Sequence, residues 1–277
     1  MKEVLITGAN SYVGARIYYD LRRDFGIVGT YHNFQLSSDF VHLDITNPTE
    51  VKKVVEQVDP ATIVHVAANA SAKWCEDHPK EAKALNELAT KSIVEAANSV
   101  GAGVIFISSF AALDTSNVYG QTKAASEETI KGNAQRYVIL RPSLVIGFSP
   151  NTTNDRPFNR ILRNIDEGTP AVYDTSWKFQ PTYLRHLSEV ITLVIDKGIN
   201  EETIPVAISA LKSRFDIAQD ILSEFDIEVT PEDKQDKTPV LQDDLSRLKE
   251  LGLPIYEYDQ VIKEIVEEIK HRGQFSF

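Results

Sequence analysis

Val4-Leu5-Ile6-Thr7-Gly8-Ala9-Asn10-Ser11-Tyr12-Val13-Gly14 stands near the start of a chain of 277 residues. The first three residues form a short aliphatic run that reads as a strand, and Thr7-Gly8 ends it. Val13, Ile17 and Leu21 then recur four apart on one helical face. The order is strand, turn, helix. A glycine at the strand end permits a tight turn, a glycine on the helix permits close packing, and the helix amino terminus can present N–H groups to a pyrophosphate. A G-x-x-G-x-x-G spacing would set its middle glycine at Ser11, where serine adds a hydroxyl while its Cβ limits how closely a phosphate approaches. Gly8, Asn10, Ser11, Tyr12, Val13 and Gly14 are therefore candidate cofactor-binding residues. An ordinary βα turn has the same outline, so the surrounding pattern matters.

That pattern repeats the motif. Ile27-Val28, Phe40 to Leu43, Ile63 to Val66, Val104 to Ile107 and Tyr137 to Leu140 read as strands, separated by helices near Pro48, across Leu85 to Ala96 and after Tyr119. Strands apolar on both faces, alternating with amphipathic helices, predict a doubly wound parallel sheet of Rossmann type. After about Gly147 the rhythm weakens. Helices are predicted at Leu187–Lys197, Phe215–Phe225, Asp244–Leu251 and Val261–Lys270, with little strand besides Ile204–Ile208. The expected organisation is an α/β dinucleotide-binding domain over residues 1–148 and a smaller, mostly helical substrate lobe over 149–277, some of whose segments can return to the first domain.

Composition bounds the function. The formal net charge is −11, and 42% of residues are hydrophobic. So acidic a chain argues against a broad electrostatic grip on nucleic acid or an anionic membrane, and any phosphate must be held locally. A single cysteine, Cys75, allows no intrachain disulfide and no thiolate cluster, which suits a reducing compartment and makes the cytoplasm the expected location. The six histidines show no metal-binding spacing, so no metal site is expected. No apolar stretch approaches the roughly 18 residues of a membrane-span candidate.

Two further readings bear on chemistry. The second strand ends in Thr30-Tyr31-His32-Asn33, with no acid to bond a ribose diol, which tilts the expected cofactor toward NADP, with NAD as the alternative. His32 is the nearest candidate for the extra phosphate, and a solvated loop histidine fits that position equally well. Tyr119-Gly-Gln-Thr-Lys123 places a phenol and an ammonium one helical turn apart. A neighbouring Lys⁺ favours the phenolate and should lower the tyrosine pKa. By itself this spacing also describes a surface pair. Ser109, ten residues upstream at the carboxyl end of a strand, adds a hydroxyl able to bond the carbonyl oxygen that Tyr119 would protonate.

Taken in order, the phosphate turn, Asp44-Ile45-Thr46, His65-Val-Ala67-Ala68, Asn86, Ile107-Ser-Ser109, the Tyr119/Lys123 pair, Leu140-Arg-Pro142-Ser143, Gln180-Pro-Thr182-Tyr and Asp244-Leu-Ser-Arg-Leu resemble the extended short-chain dehydrogenase/reductase superfamily. Within it the chain is most similar to the dTDP-4-dehydrorhamnose reductase family, over nearly its whole length. The resemblance implies that Asp44 and Ile45 flank the adenine and that Ala67 and Ala68 admit the cofactor ribose. It also implies that Lys123 bonds the nicotinamide ribose and that Pro142 and Ser143 lie by the carboxamide. Catalytic roles fall to Ser109, Tyr119 and Lys123. Substrate contacts are expected from Ser109, Gln180, Thr182 and Arg185. Taken alone, Asp44 reads equally as a helix-start residue, Arg185 as a solvated or paired cation, and His65 as a packed histidine.

The implied function is reduction of a keto group on a nucleotide-sugar substrate. Alternatives are an NAD-dependent nucleotide-sugar epimerase and a dinucleotide-binding regulator similar to the regulatory subunit of methionine adenosyltransferase. A homodimer is left open. The chain departs from the reductases where they carry Thr-Asp-Tyr-Val-Phe-Asp-Gly and a long loop before the tyrosine, having Phe110-Ala-Ala-Leu-Asp114 instead. It departs again at Lys237-Thr-Pro-Val240, where an Arg-Pro is usual.

Overall fold

Seven strands, each parallel to its neighbours, form the centre of the computed structural model, which describes residues 3–275. They are β1 (Glu3–Thr7), β2 (Gly26–Tyr31), β3 (Val41–His42), β4 (Thr62–His65), β5 (Gly103–Ile107), β6 (Tyr137–Pro142) and β7 (Glu202–Val206). Their order across the sheet is β7-β6-β5-β4-β1-β2-β3. Val4 is in register with Ile27 on one side and Thr62 on the other. Val4, Leu5, Ile6, Ile63 and Val64 are fully buried, as both faces of the sheet are covered. The chain runs outward from β1 to β3 and returns to β4 on the other side of β1. That reversal opens a crevice at the carboxyl ends of β1 and β4, the place where such sheets take ligands.

The predicted strands of the first half are present within a few residues of their expected limits. The predicted strand at Ile204–Ile208 is seen as β7, and it belongs to the central sheet, paired with β6. Without it the outer edge of β6 would be left with unpaired N–H and C=O groups.

One face carries α2 (Pro48–Val58) and α3 (Ala89–Val100), whose Val51, Val55, Ile93 and Val94 pack on Leu5, Ile63 and Phe106 together with Ile130 of α4 (Val118–Asn133). Asn47 caps α2 by accepting from the N–H groups of Thr49 and Glu50, and Pro48 starts the helix. The other face carries α1 (Tyr12–Leu21) and α6 (Leu184–Lys197), where Ile17 and Leu21 meet Leu187, Val190 and Ile191. The helix expected over Leu85–Ala96 is not uniform. Residues Lys83–Leu88 form a π-helical turn ahead of α3, and Asn86 lies in it.

The remainder of the second half builds a separate core from α5 (Pro157–Glu167), α7 (Arg214–Leu222) and α8 (Tyr258–Lys270) around Phe158, Phe179, Ile217 and Val261. Helix α5 lies outside the helices predicted from the sequence. A buried arginine joins this lobe to α1. Arg16 bonds Asp20 at 2.7 Å, Glu268 of α8 at 2.5 Å and the Phe148 carbonyl at 2.7 Å, and Glu268 also accepts from the Tyr183 hydroxyl at 2.8 Å. Removing either charge of such a buried pair would strand the other without solvent. Among the described residues no helix is long and apolar enough to cross a membrane.

Candidate active site

Helix α4 is held against the end of β5 by backbone contact as much as by side chains. Asn117 caps it, accepting from the Gly120 N–H at 2.9 Å. A Cβ on Gly120 would sit 2.0 Å from the Asp114 carbonyl oxygen, so only glycine lets the helix abut the turn that follows Ser109. Within that turn the Ser109 hydroxyl oxygen accepts from the Ala111 N–H at 3.1 Å. The result brings Ser109, Tyr119 and Lys123 into the wall of one cavity.

Burial governs the electrostatics here. It pushes the Tyr119 phenol up to about 12, against the opposing pull of the Ser109 hydrogen bond and of the positive charge on Arg156. It pushes the Lys123 ammonium down to about 8, against the attraction of Glu127. Both groups are thus biased toward their neutral forms. The expectation that Lys123 lowers the phenol is corrected by this geometry. The ammonium points at the Ile107 carbonyl, 2.8 Å away, and lies over the Phe106 ring at 4.6 Å from its centroid. Desolvation of the phenol outweighs the neighbouring groups that would lower it.

A buried network stands behind the three residues. Glu127, one turn beyond Lys123, accepts from the Ser108 hydroxyl at 2.6 Å and takes both arms of Arg141 at 2.9 and 2.5 Å. Asn86 accepts from the Asn69 N–H at 2.8 Å and donates to the Asn69 carbonyl at 3.0 Å, while its own carbonyl receives the Ser126 hydroxyl at 2.7 Å. The π turn therefore ties the loop after β4 to α4, a common use of such irregularities. His65 bridges the Thr7 hydroxyl at 2.8 Å and the Thr90 hydroxyl at 3.2 Å and stacks on Phe106. Its burial lowers it to about 3, so it is a packed, neutral histidine.

The cavity has a volume of about 580 Å³ and runs along the carboxyl ends of the central strands. Ser11, Tyr12, Val13, Ala68, Pro142 and Ser143 share its walls with the catalytic candidates. Ser11 caps α1 by accepting from the Gly14 N–H at 3.0 Å. A Cβ on Gly14 would fall 2.2 Å from the Gly8 carbonyl oxygen, which accounts for the glycine on the helix. The remaining first-turn N–H groups, those of Tyr12 and Val13, have no partner inside the helix and belong to residues that line the cavity. The Tyr12 hydroxyl donates to the Gly147 carbonyl at 2.5 Å. Asn10 fastens the loop after β2 by accepting from the Leu36 N–H at 2.7 Å. The Gly8 N–H donates to the Thr30 hydroxyl, and the Ala67 N–H to the Thr7 hydroxyl, at 3.2 and 3.3 Å.

The other expected cofactor residues lie outside this cavity. His32 is exposed at the end of β2, its ring 5.7 Å from that of His42. Asp44 accepts from the hydroxyl and N–H of Thr46, which hold its carboxyl below the usual range, and Ile45 is buried against α2 and α3. The expected substrate residues of the lobe are not brought to the cavity either. Gln180 is buried and pins residue 243 through both the N–H and the carbonyl of Asp243, at 2.9 and 3.0 Å. Thr182 accepts from the Ser143 N–H at 2.8 Å and donates to the Val206 carbonyl. Arg185 pairs with Glu189 and Glu264 at the surface.

The lobe presents Arg156, Trp177, Phe179 and Arg214 to the cavity instead. Arg156, Phe179 and Arg214 also line a second cavity of about 660 Å³ beside it. Arg214 lies over the Trp177 ring and faces Asp174 and Asp236 at 4.0 and 3.8 Å. Arg156 is the N-cap residue of α5. The signal that would have located it is the run Phe158, Ile161, Leu162 and Ile165 behind Pro157, a helical period that opens on a favoured first-turn residue.

A parallel sheet with a glycine turn at its crevice, a serine in the turn after β5 and a Tyr-Lys pair on the helix that follows defines the extended short-chain dehydrogenase/reductase class. The chain belongs to the family described as RmlD substrate binding domain, whose model matches residues 1–250. It is 30% identical over 156 residues to dTDP-4-dehydrorhamnose reductase of Salmonella typhimurium, covering 51% of each chain. It is 22% identical over 218 residues to methionine adenosyltransferase 2 subunit beta of Xenopus tropicalis, covering 73% of this chain and 65% of that one. The matched stretches thus span between half and two thirds of these curated relatives. The crystal structure of dTDP-4-dehydrorhamnose reductase from Bacillus anthracis in complex with NADP superposes with a TM-score of 0.82 at 23% identity, over 97% of this chain and 99% of that one, which is a likeness of fold.

Proposed function

We propose that the protein is an NADP(H)-dependent reductase of a keto group on a nucleotide-sugar substrate, similar to the dTDP-4-dehydrorhamnose reductases. The observation that carries this reading is the convergence of Ser109, Tyr119 and Lys123 in one cavity with the glycine turn. The residues present fit a dinucleotide. The first turn of α1 offers the N–H groups of Tyr12 and Val13, and the exposed end of β2 bears His32 and no carboxylate.

When bound, NADPH supplies the hydride, and the protein supplies position and electrostatics. Ser109 orients the carbonyl oxygen of the substrate. Tyr119, kept protonated by its burial, delivers the proton to that oxygen. Lys123 holds the nicotinamide ribose and balances charge as the phenol gives up its proton. His32 is assigned to the 2′-phosphate, Asp44 and Ile45 to the adenine, and Ala67 with Ala68 to the ribose. Pro142 and Ser143 are assigned to the carboxamide. Arg156, Trp177 and Arg214 replace Arg185 as the cationic and aromatic groups expected to meet the substrate, and Gln180 and Thr182 act from behind by holding the cavity wall.

The test is oxidation of NADPH at 340 nm with dTDP-4-dehydrorhamnose and a panel of other keto-sugar nucleotides. Turnover with any of them supports the reading. The likeness to a methionine adenosyltransferase subunit supports a second reading, a dinucleotide-binding partner of another enzyme. Cofactor binding with no turnover across the panel would favour it.

A further inference from the structure

We infer that His42 joins His32 in holding the 2′-phosphate of NADP, so that two imidazoles from neighbouring strand ends set the cofactor preference. The inference deepens the reading of an NADP(H)-dependent protein and rests on it. The register of the sheet brings the pair together. Tyr31, the last residue of β2, is in register with His42, the last residue of β3, so His32 emerges beside His42 at the carboxyl ends of the two strands. Their rings stand 5.7 Å apart at a tilt of 36°. Both side chains are open to solvent, His42 to 49%. Two rings at this separation can each donate a hydrogen bond to one phosphate group.

Charge in this corner of the molecule points the same way. Between Arg23 and Lys52 the sequence has no Lys or Arg, so His32 and His42 are the only side chains of that stretch able to carry positive charge. Lys52 pairs with Glu56 along α2 at 3.8 Å. Glu50, also of α2, fixes the His42 ring: its carboxylate meets Nδ1 at 2.8 Å and accepts from the Asp44 N–H at 3.2 Å. Nε2 is the ring nitrogen left for a ligand, and an imidazolium bonded to a carboxylate through one nitrogen can donate to a phosphate through the other. Tyr31 stands edge-on to the same ring at 5.5 Å, and the Asp44 carboxyl is occupied by the N–H and hydroxyl of Thr46. Asn10 ties the loop after β2 to the glycine turn through the Leu36 N–H at 2.7 Å, which sets this corner against the cofactor turn. The pair therefore occupies the strand end at which a carboxylate would select the ribose diol of NAD.

The test is calorimetric binding of NADPH and of NADH to the full chain, in the native protein, His42→Gln, His32→Gln and the double variant. The native protein should bind NADPH at least about tenfold more tightly than NADH. His42→Gln should weaken NADPH by about tenfold and leave NADH within about twofold, and the double variant should bind the two cofactors about equally. His42→Arg restores a cation and should recover the preference. Native protein that does not favour NADPH would overturn the inference, as would a folded His42→Gln that keeps the native ratio or weakens both cofactors equally. Imidazole ¹⁵N spectra of the native protein give a reading that needs no variant. The His42 signals should move with NADPH and stay in place with NADH, and signals that respond equally to both, or to neither, would contradict the inference. Binding requires no turnover, so a silent reductase assay and a missing cofactor preference are separate results.

Discussion

The Nζ of Lys123 donates to the carbonyl oxygen of Ile107 at 2.8 Å, fastening the helix that carries Tyr119 to the end of strand β5. The same bond sets the ammonium in the cavity wall, where burial holds it down to about 8. Position and protonation of this one group are therefore linked.

Lys123→Met should lower turnover by about 100-fold, within the range for loss of a participant in proton transfer. Its thermal midpoint should stay close to the native value, because the lost hydrogen bond is offset by no longer burying a charge. In the native protein the activity should decline as pH rises through about 8, where Lys123 loses its proton. A profile flat to pH 10 would contradict that assignment.

Glu127 is a structural keystone, fully engaged by Ser108 and Arg141 and out of contact with the cavity. Glu127→Ala leaves Arg141 without its carboxylate and Ser108 without an acceptor. Stability to urea should fall by about 3 kcal/mol, with KM for NADPH little changed in the protein that remains folded.

His65 makes the fold sensitive to acid. Burial holds its folded pKa at about 3, against 6.5 for a free imidazole, so between those values the unfolded chain takes up a proton that the native state refuses. Stability therefore decreases as pH falls from about 6.5 toward 3, by an amount on the order of 4 kcal/mol over the whole interval. Denaturant midpoints measured across pH 4 to 7 should lose much of their slope in His65→Gln.

Gly120→Ala should be damaging at this buried position. The added methyl would meet the Asp114 carbonyl at 2.0 Å, so α4 must move away from the Ser109 turn. Overpacking of this kind costs about 1–3 kcal/mol, and the displaced Tyr119 should reduce kcat more than it raises KM for cofactor.

Much of this molecule is legible in its sequence because the physical signal is local. Val4-Leu5-Ile6 and Ile63-Val64 are apolar on both faces, which a covered parallel sheet requires, and helical geometry alone sets Tyr119 and Lys123 in one cavity wall. The substrate side is less legible. Arg185 stands in a suggestive segment, yet its direction depends on how α6 packs, and that turns it to Glu189 and Glu264. Arg156 is inconspicuous in a polar stretch and reaches the cavity wall only when the lobe folds over the strand ends. The Tyr119 pKa is misjudged from sequence for the same reason, since desolvation depends on the whole cavity and not on a neighbour four residues away.

The central claim, that Tyr119 donates a proton in an NADPH-dependent reduction, is tested most directly by comparing the native protein with Tyr119→Phe. Both should be assayed for NADPH oxidation with dTDP-4-dehydrorhamnose and for NADPH affinity by calorimetry. The account predicts turnover in the native protein, its loss by at least about 100-fold in the variant, and nearly equal affinity for NADPH. Turnover that survives the substitution unchanged would contradict it.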